Sequence, residues 1–163
     1  MRGFDRPVKT SLMEFAYQSL AGNWTGRRER EAVSLFAFRH LLRQVRAGSS
    51  LHDAAQITIE FPVPQVTVGG KAQVCKDLVL WPSPAMTCWD AEGSPSVAPA
   101  AVLEWKFGQS CVHEPDVRWL QRFTSVYSDC IGYAISANRP GREFLLRCDR
   151  VELGQVERAW LEV

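Results

Sequence analysis

Ala101-Val102-Leu103-Glu104-Trp105-Lys106 is an apolar run of the kind a buried strand has, broken by one acid and one amine. Side chains alternate across a strand, so Glu104 and Lys106, two apart, point to the same face. Charges on a core strand are costly to desolvate unless they pair, bind a metal or do chemistry. A second apolar run, Leu78-Val79-Leu80-Trp81, opens with Asp77. An acid heading one strand and Glu-x-Lys on the next is the pattern around which the other elements are placed.

Composition sets the frame. The 163 residues suggest one domain, 1–163, with a sizeable core. A formal net charge of +1 gives no bulk basicity to advertise nucleic acid. The arginines are nevertheless uneven: Arg27, Arg28, Arg30, Arg39, Arg43 and Arg46 stand against only Glu29 and Glu31. That cluster is either a local phosphate-binding face or a solvated helix surface. Five cysteines without C-x-x-C spacing argue against a disulfide framework or a structural zinc site and fit a reducing cytosol. No apolar run reaches membrane-spanning length and the N-terminus is polar, so the expectation is a cytoplasmic protein without membrane contact.

Residues 1–9 read as a lead-in ending near Pro7, and 10–20 as a helix capped by Thr10 or Ser11 with Glu14. The strongest helix pattern runs from about Gly26 to Val45. At 100° per residue, Glu31 projects onto the side of Leu35, Phe38, Leu42 and Val45, with Glu29 nearer the edge. Glu31 then either faces inward or serves the helix dipole and a surface arginine. Ile57–Phe61 alternates as a strand that Pro62 and Pro64 end or place at an edge. A hairpin turns at Gly69-Gly70, a buried strand covers 75–81, a Pro-rich loop covers 82–99 and a strand covers 100–107. Glu114-Pro115-Asp116 opens an amphipathic helix. A strand follows at 130–137, with further strands at 144–148 and 159–163 and the Gly154 region between them unassigned. The fold class is α/β (α+β), a central mixed sheet flanked by helices.

Asp77, Glu104 and Lys106 form the chemical constellation. Two nearby carboxylates repel, which raises a pKa or recruits a cation. Hard oxygens on a rigid sheet suit Mg²⁺ or Mn²⁺, and the Trp105 backbone carbonyl can add another. Lys106 can orient or help deprotonate a metal-bound water and offset transition-state charge. The plain readings are a Glu104–Lys106 salt bridge and an Asp77 turn cap. Trp81, Trp89, Trp105 and Trp119 either stack bases or fill the core.

Lys-Asp77-Leu-Val-Leu-Trp followed by Val-Leu-Glu104-Trp105-Lys106-Phe resembles the PD-(D/E)xK nuclease superfamily, although Lys76 stands where that pattern has proline. The resemblance implies a restriction-endonuclease-like α-β-β-β-α-β core over about 26–137, with C-terminal strands at 144–163 added to it. It implies a metal-dependent nuclease hydrolysing phosphodiester bonds, with Asp77, Glu104, Lys106 and Glu31 catalytic. Asp77, Glu104, Glu31 and the Trp105 carbonyl would hold the metal. Arg27, Arg28, Arg30 and Gln121 are secondary candidates for nucleic-acid contact. The expected partner is nucleic acid, DNA before RNA; many nucleases of this fold work as dimers, and a homodimer or a larger protein assembly is the corresponding expectation for this chain. The alternatives are an inactive interaction or assembly module on the same fold, and an enzyme for a small phosphorylated substrate.

Overall fold

The computed structural model describes residues 3–22, 24–26, 28–66 and 71–163. It is a mixed α/β structure with a six-stranded sheet in the order β1-β2-β3-β4-β5-β6. The strands are β1 (Ile57–Pro64), β2 (Gln73–Leu80), β3 (Ala101–Phe107), β4 (Ile131–Asn138), β5 (Leu145–Glu152) and β6 (Gln155–Glu162). Neighbours are antiparallel except β3 and β4, which run parallel through the crossover helix α3 (Glu114–Val126). Helices α1 (Asp5–Leu20) and α2 (Glu29–Leu35) precede the sheet. No described helix is long and apolar enough to cross a membrane.

Two apolar layers sandwich the sheet. Leu12, Phe15 and Ala16 of α1 and Phe36, Ala37 and Leu41 after α2 pack with Leu78, Leu80, Leu103, Trp105, Tyr133 and Ile135. On the other face Val117, Leu120 and Phe123 of α3 pack with Val79, Trp81, Val102 and Ala134. Trp81, Trp105 and Trp119 are all buried, so these rings belong to the core. Gly132 lets α3 approach closely: a Cβ there would sit 3.0 Å from the Leu120 Cβ. At the N-terminus, the Tyr133 hydroxyl and Arg150 Nε each donate to Asp5 Oδ1 at 2.7 Å, pinning α1 to β4 and β5.

Several boundaries differ from expectation. The lead-in is shorter, because α1 begins at Asp5 with Pro7 in its first turn, where a missing N–H breaks no helical bond. β1 continues through both prolines to Pro64, as an edge strand tolerates. The turn at Gly69-Gly70 lies outside the described residues. β5 and β6 are longer than expected and meet at Leu153 (φ 51°) and Gly154 (φ 74°), the positive-φ pair of a tight hairpin. After Leu35 the second helix changes character, becoming a wide π turn over Phe36–Leu41 and a tight 3₁₀ turn over Leu42–Gln44.

Candidate active site

The buried stripe of this helix decides which glutamate faces inward. The buried residues are Ala32, Val33, Phe36, Ala37, His40 and Leu41, whereas Phe38 and Leu42 are exposed. The helix thus has two apolar stripes, and the core takes the one that at 100° per residue carries Glu29, not the Leu35, Phe38, Leu42 stripe that carries Glu31. Glu31 is exposed on α2 and does not join Asp77 and Glu104. Glu29, one turn ahead of Val33, is half-buried, and its Oε1 lies 3.3 Å from Lys106 Nζ.

The remaining parts gather where β2 and β3 separate. The two strands pair only from Leu78↔Leu103 to Leu80↔Ala101. Beyond that fork β2 stays with β1, and β3 stays with β4. The Asp77 side chain bridges the opening: the backbone N–H of Trp105 donates to its Oδ2 at 2.7 Å. This bond supplies the acceptor that the next rung of the ladder lacks.

A twist in the neighbouring ribbon adds a residue absent from the sequence expectation. Ile57 and Ile59 pack on the α1/α2 side, yet Phe61 and Val63, of the same parity, pack on the α3 side. Between them Glu60 has φ 50°. Strand alternation is thus reversed at Glu60, and its partner strand turns with it. Lys76, which simple alternation from Leu78 assigns to the α1/α2 face, instead reaches Glu104 and α3. Its ammonium is in direct ionic contact with Glu104 Oε1 and lies 3.5 Å from the centre of the Trp119 ring. The indole N–H of Trp119 donates to Gln65 Oε1 at 2.7 Å, which fixes the ring.

Lys106 occupies the outer part of the cluster. Its ammonium donates to the Trp105 carbonyl at 2.7 Å and lies 3.8 Å from Asp116 Oδ2 on α3. His113 Nδ1 lies 3.0 Å from the same Asp116 oxygen. A cleft of about 220 Å³ opens beside the fork, lined by Glu29, Arg30, Val33, Ile59, Glu60 and Asp77. Arg30 lies at its rim, with Nε 2.7 Å from Glu60 Oε1. Arg28 is exposed at the start of α2, and Arg27 lies outside the described residues. Gln121 is elsewhere: its amide donates to the Gly154 carbonyl at 3.1 Å, at the β5–β6 turn.

Electrostatics follow from the crowding. Glu104 is only 6% exposed. Burial pushes its carboxyl up, Lys76 opposes this, and the Asp77 and Asp116 charges push it further, to about 8. Burial acts to lower the Lys106 ammonium, but Asp116, Glu29 and Asp77 outweigh it, and the net shift is upward. Lys106 is therefore a proton donor and a fixed positive charge at neutral pH, without the capacity to take a proton from water.

Among the described residues, no three histidine, cysteine, aspartate or glutamate side chains form a ready metal cage. The smaller set of Asp77, Glu104 and the Trp105 carbonyl has the hard-oxygen chemistry that suits Mg²⁺ or Mn²⁺. The raised pKa of buried Glu104 marks a place where added positive charge is stabilised. Each of these three groups already accepts a proton donor from the protein: Trp105 N–H, Lys76 and Lys106 respectively. The donor set fits a divalent ion in kind, with two lysines now supplying the neutralising charge. Compared with family models, curated proteins and solved structures, the chain matches none.

Proposed function

We propose that the chain is a nuclease-like phosphodiester hydrolase on a restriction-endonuclease-like core. The order α2-β1-β2-β3-α3-β4 supports this reading, since it reproduces the α-β-β-β-α-β sequence of that core. The observation that carries it is the fork: Asp77 from β2 and Glu104-Trp105-Lys106 from β3 meet where the strands part, with Glu29 reaching in from the preceding helix. Strand separation leaves the Trp105 backbone N–H to the Asp77 carboxylate, a contact that a continuous ladder would not make.

In this reading Asp77, Glu104 and the Trp105 carbonyl would hold Mg²⁺ or Mn²⁺. The chemistry such an ion would supply when bound is a water nucleophile at neutral pH and charge neutralisation on the phosphoryl oxygens. Lys106, kept charged by Glu29 and Asp116, offers its ammonium to a phosphate oxygen. Glu29, rather than Glu31, is the helix glutamate at the fork, and it acts as a positioning residue for Lys106 and not as the metal ligand expected of Glu31. The substrate is nucleic acid, with DNA the first polymer to test. Incubating labelled DNA and RNA with Mg²⁺ or Mn²⁺ tests the proposal. Cleavage by the wild type and its loss in Lys106→Ala, with folding preserved, is the expected result. Cleavage at full rate in Lys106→Ala removes the assigned site.

The contact between Lys76 and Glu104 favours a second reading, a non-catalytic interaction module that keeps the fold and replaces the metal by a lysine. In that case wild-type protein produces no calorimetric heat with either ion.

A further inference from the structure

We infer that Lys76 is the resident cation of this site, competing with a divalent ion for Glu104 and thereby setting the affinity for it. The inference rests on the proposed reading of the fork as a metal site and extends it to a residue that the Asp, Glu-x-Lys pattern does not contain.

The geometry is built rather than incidental. Lys76 and Glu104 are each 6% exposed, so bulk water does not screen the contact between them. The ammonium is held from two sides, by Glu104 Oε1 and by the face of Trp119. Trp119 is in turn oriented by Gln65, close to where β1 and β2 are joined by the Gln65 N–H donating to the Ala72 carbonyl. The positive φ of Glu60 accompanies the half-turn that carries Lys76 to this face. A strained strand residue persists only where its surroundings over-determine it.

The consequence is competition. A Glu104 oxygen in direct contact with an ammonium is not free to bind a divalent ion, and the two cations repel each other. For an ion to engage Glu104, Lys76 must leave both the carboxylate and the indole. Lys106 occupies a different donor of the set, the Trp105 carbonyl, and its charge is offset by Glu29 and Asp116 at the outer rim, so it leaves Glu104 to Lys76.

Isothermal titration calorimetry with MnCl₂ tests this on wild type, Lys76→Met, Lys76→Gln and Lys76→Gln/Glu104→Gln. Lys76→Gln retains an amide N–H for Glu104 and protects the fold should the methionine variant fail to fold. The expected result is a Mn²⁺ affinity at least about tenfold higher in the single Lys76 variants, from the loss of one competing charge. The added Glu104→Gln change should cancel the gain, which a general loosening of the fold would not produce. Equal affinity in wild type and single variants overturns the role of Lys76 and leaves the metal site standing. Heat from the variants alone supports the inference and assigns the wild-type chain to the non-catalytic reading. Absence of binding in every protein overturns both.

Discussion

Replacing Glu104 by glutamine should change how the protein's stability depends on pH. The carboxyl of Glu104 is pushed from the ordinary 4.5 to about 8, chiefly by burial. Below pH 4.5 both the folded and the unfolded chain hold this proton, and there is no cost. Between 4.5 and 8 the unfolded chain releases the proton while the folded chain retains it. The folded state then binds more protons, so stability falls as pH rises and levels off above about 8. The slope from this residue is at most about 1.4 kcal/mol per pH unit, and the whole window amounts to about 5 kcal/mol as an upper bound. Lys76 and Glu104 titrate as a coupled pair, which spreads the transition. Glutamine has no proton to release. Urea unfolding at pH 4, 5, 6, 7 and 8 should therefore give a Glu104→Gln variant that gains on the wild type by several kcal/mol from the acid to the alkaline end. Parallel stability curves for the two proteins would refute the buried, proton-retaining placement of Glu104.

Other consequences are local. Glu29→Gln should lower the Lys106 pKa, read by NMR titration of lysine side chains, whereas Glu31→Gln should leave it unchanged. Gly132→Ala should destabilise by about 1–3 kcal/mol in urea unfolding, because a Cβ there meets the Leu120 Cβ of α3 at 3.0 Å. Asp5→Ala should cost about 3 kcal/mol, since it leaves the buried Tyr133 hydroxyl and the Arg150 guanidinium without their shared acceptor.

The parts of the site that were legible in the sequence lie on regular strands. Asp77 and Glu104-Trp105-Lys106 could be assigned to adjacent core strands because Leu78–Leu80 and Ala101–Leu103 are uninterrupted apolar runs. The Glu-Pro-Asp start of α3 and its apolar stripe were equally plain. What escaped depends on departures from regular geometry. Choosing Glu29 over Glu31 requires knowing which of two apolar stripes meets the sheet, and the exposed Phe38 and Leu42 make the wrong stripe look equally apolar. Finding Lys76 requires the reversal at Glu60, a glutamate in a conformation its residue type does not announce. The hairpin at Leu153-Gly154 was hidden for the same reason, with leucine at a positive-φ position usually taken by asparagine, aspartate or glycine. Asp116, read in the sequence only as part of the opening of α3, enters through α3 docking on the sheet.

The most direct measurement is an anomalous difference map from crystals soaked in Mn²⁺. The account predicts a peak between the Asp77 and Glu104 carboxylates, within reach of the Trp105 carbonyl, with the Lys76 ammonium withdrawn from Glu104. A fully Mn²⁺-equilibrated crystal with no peak at the fork, and Lys76 still seated between Glu104 and Trp119, would contradict it.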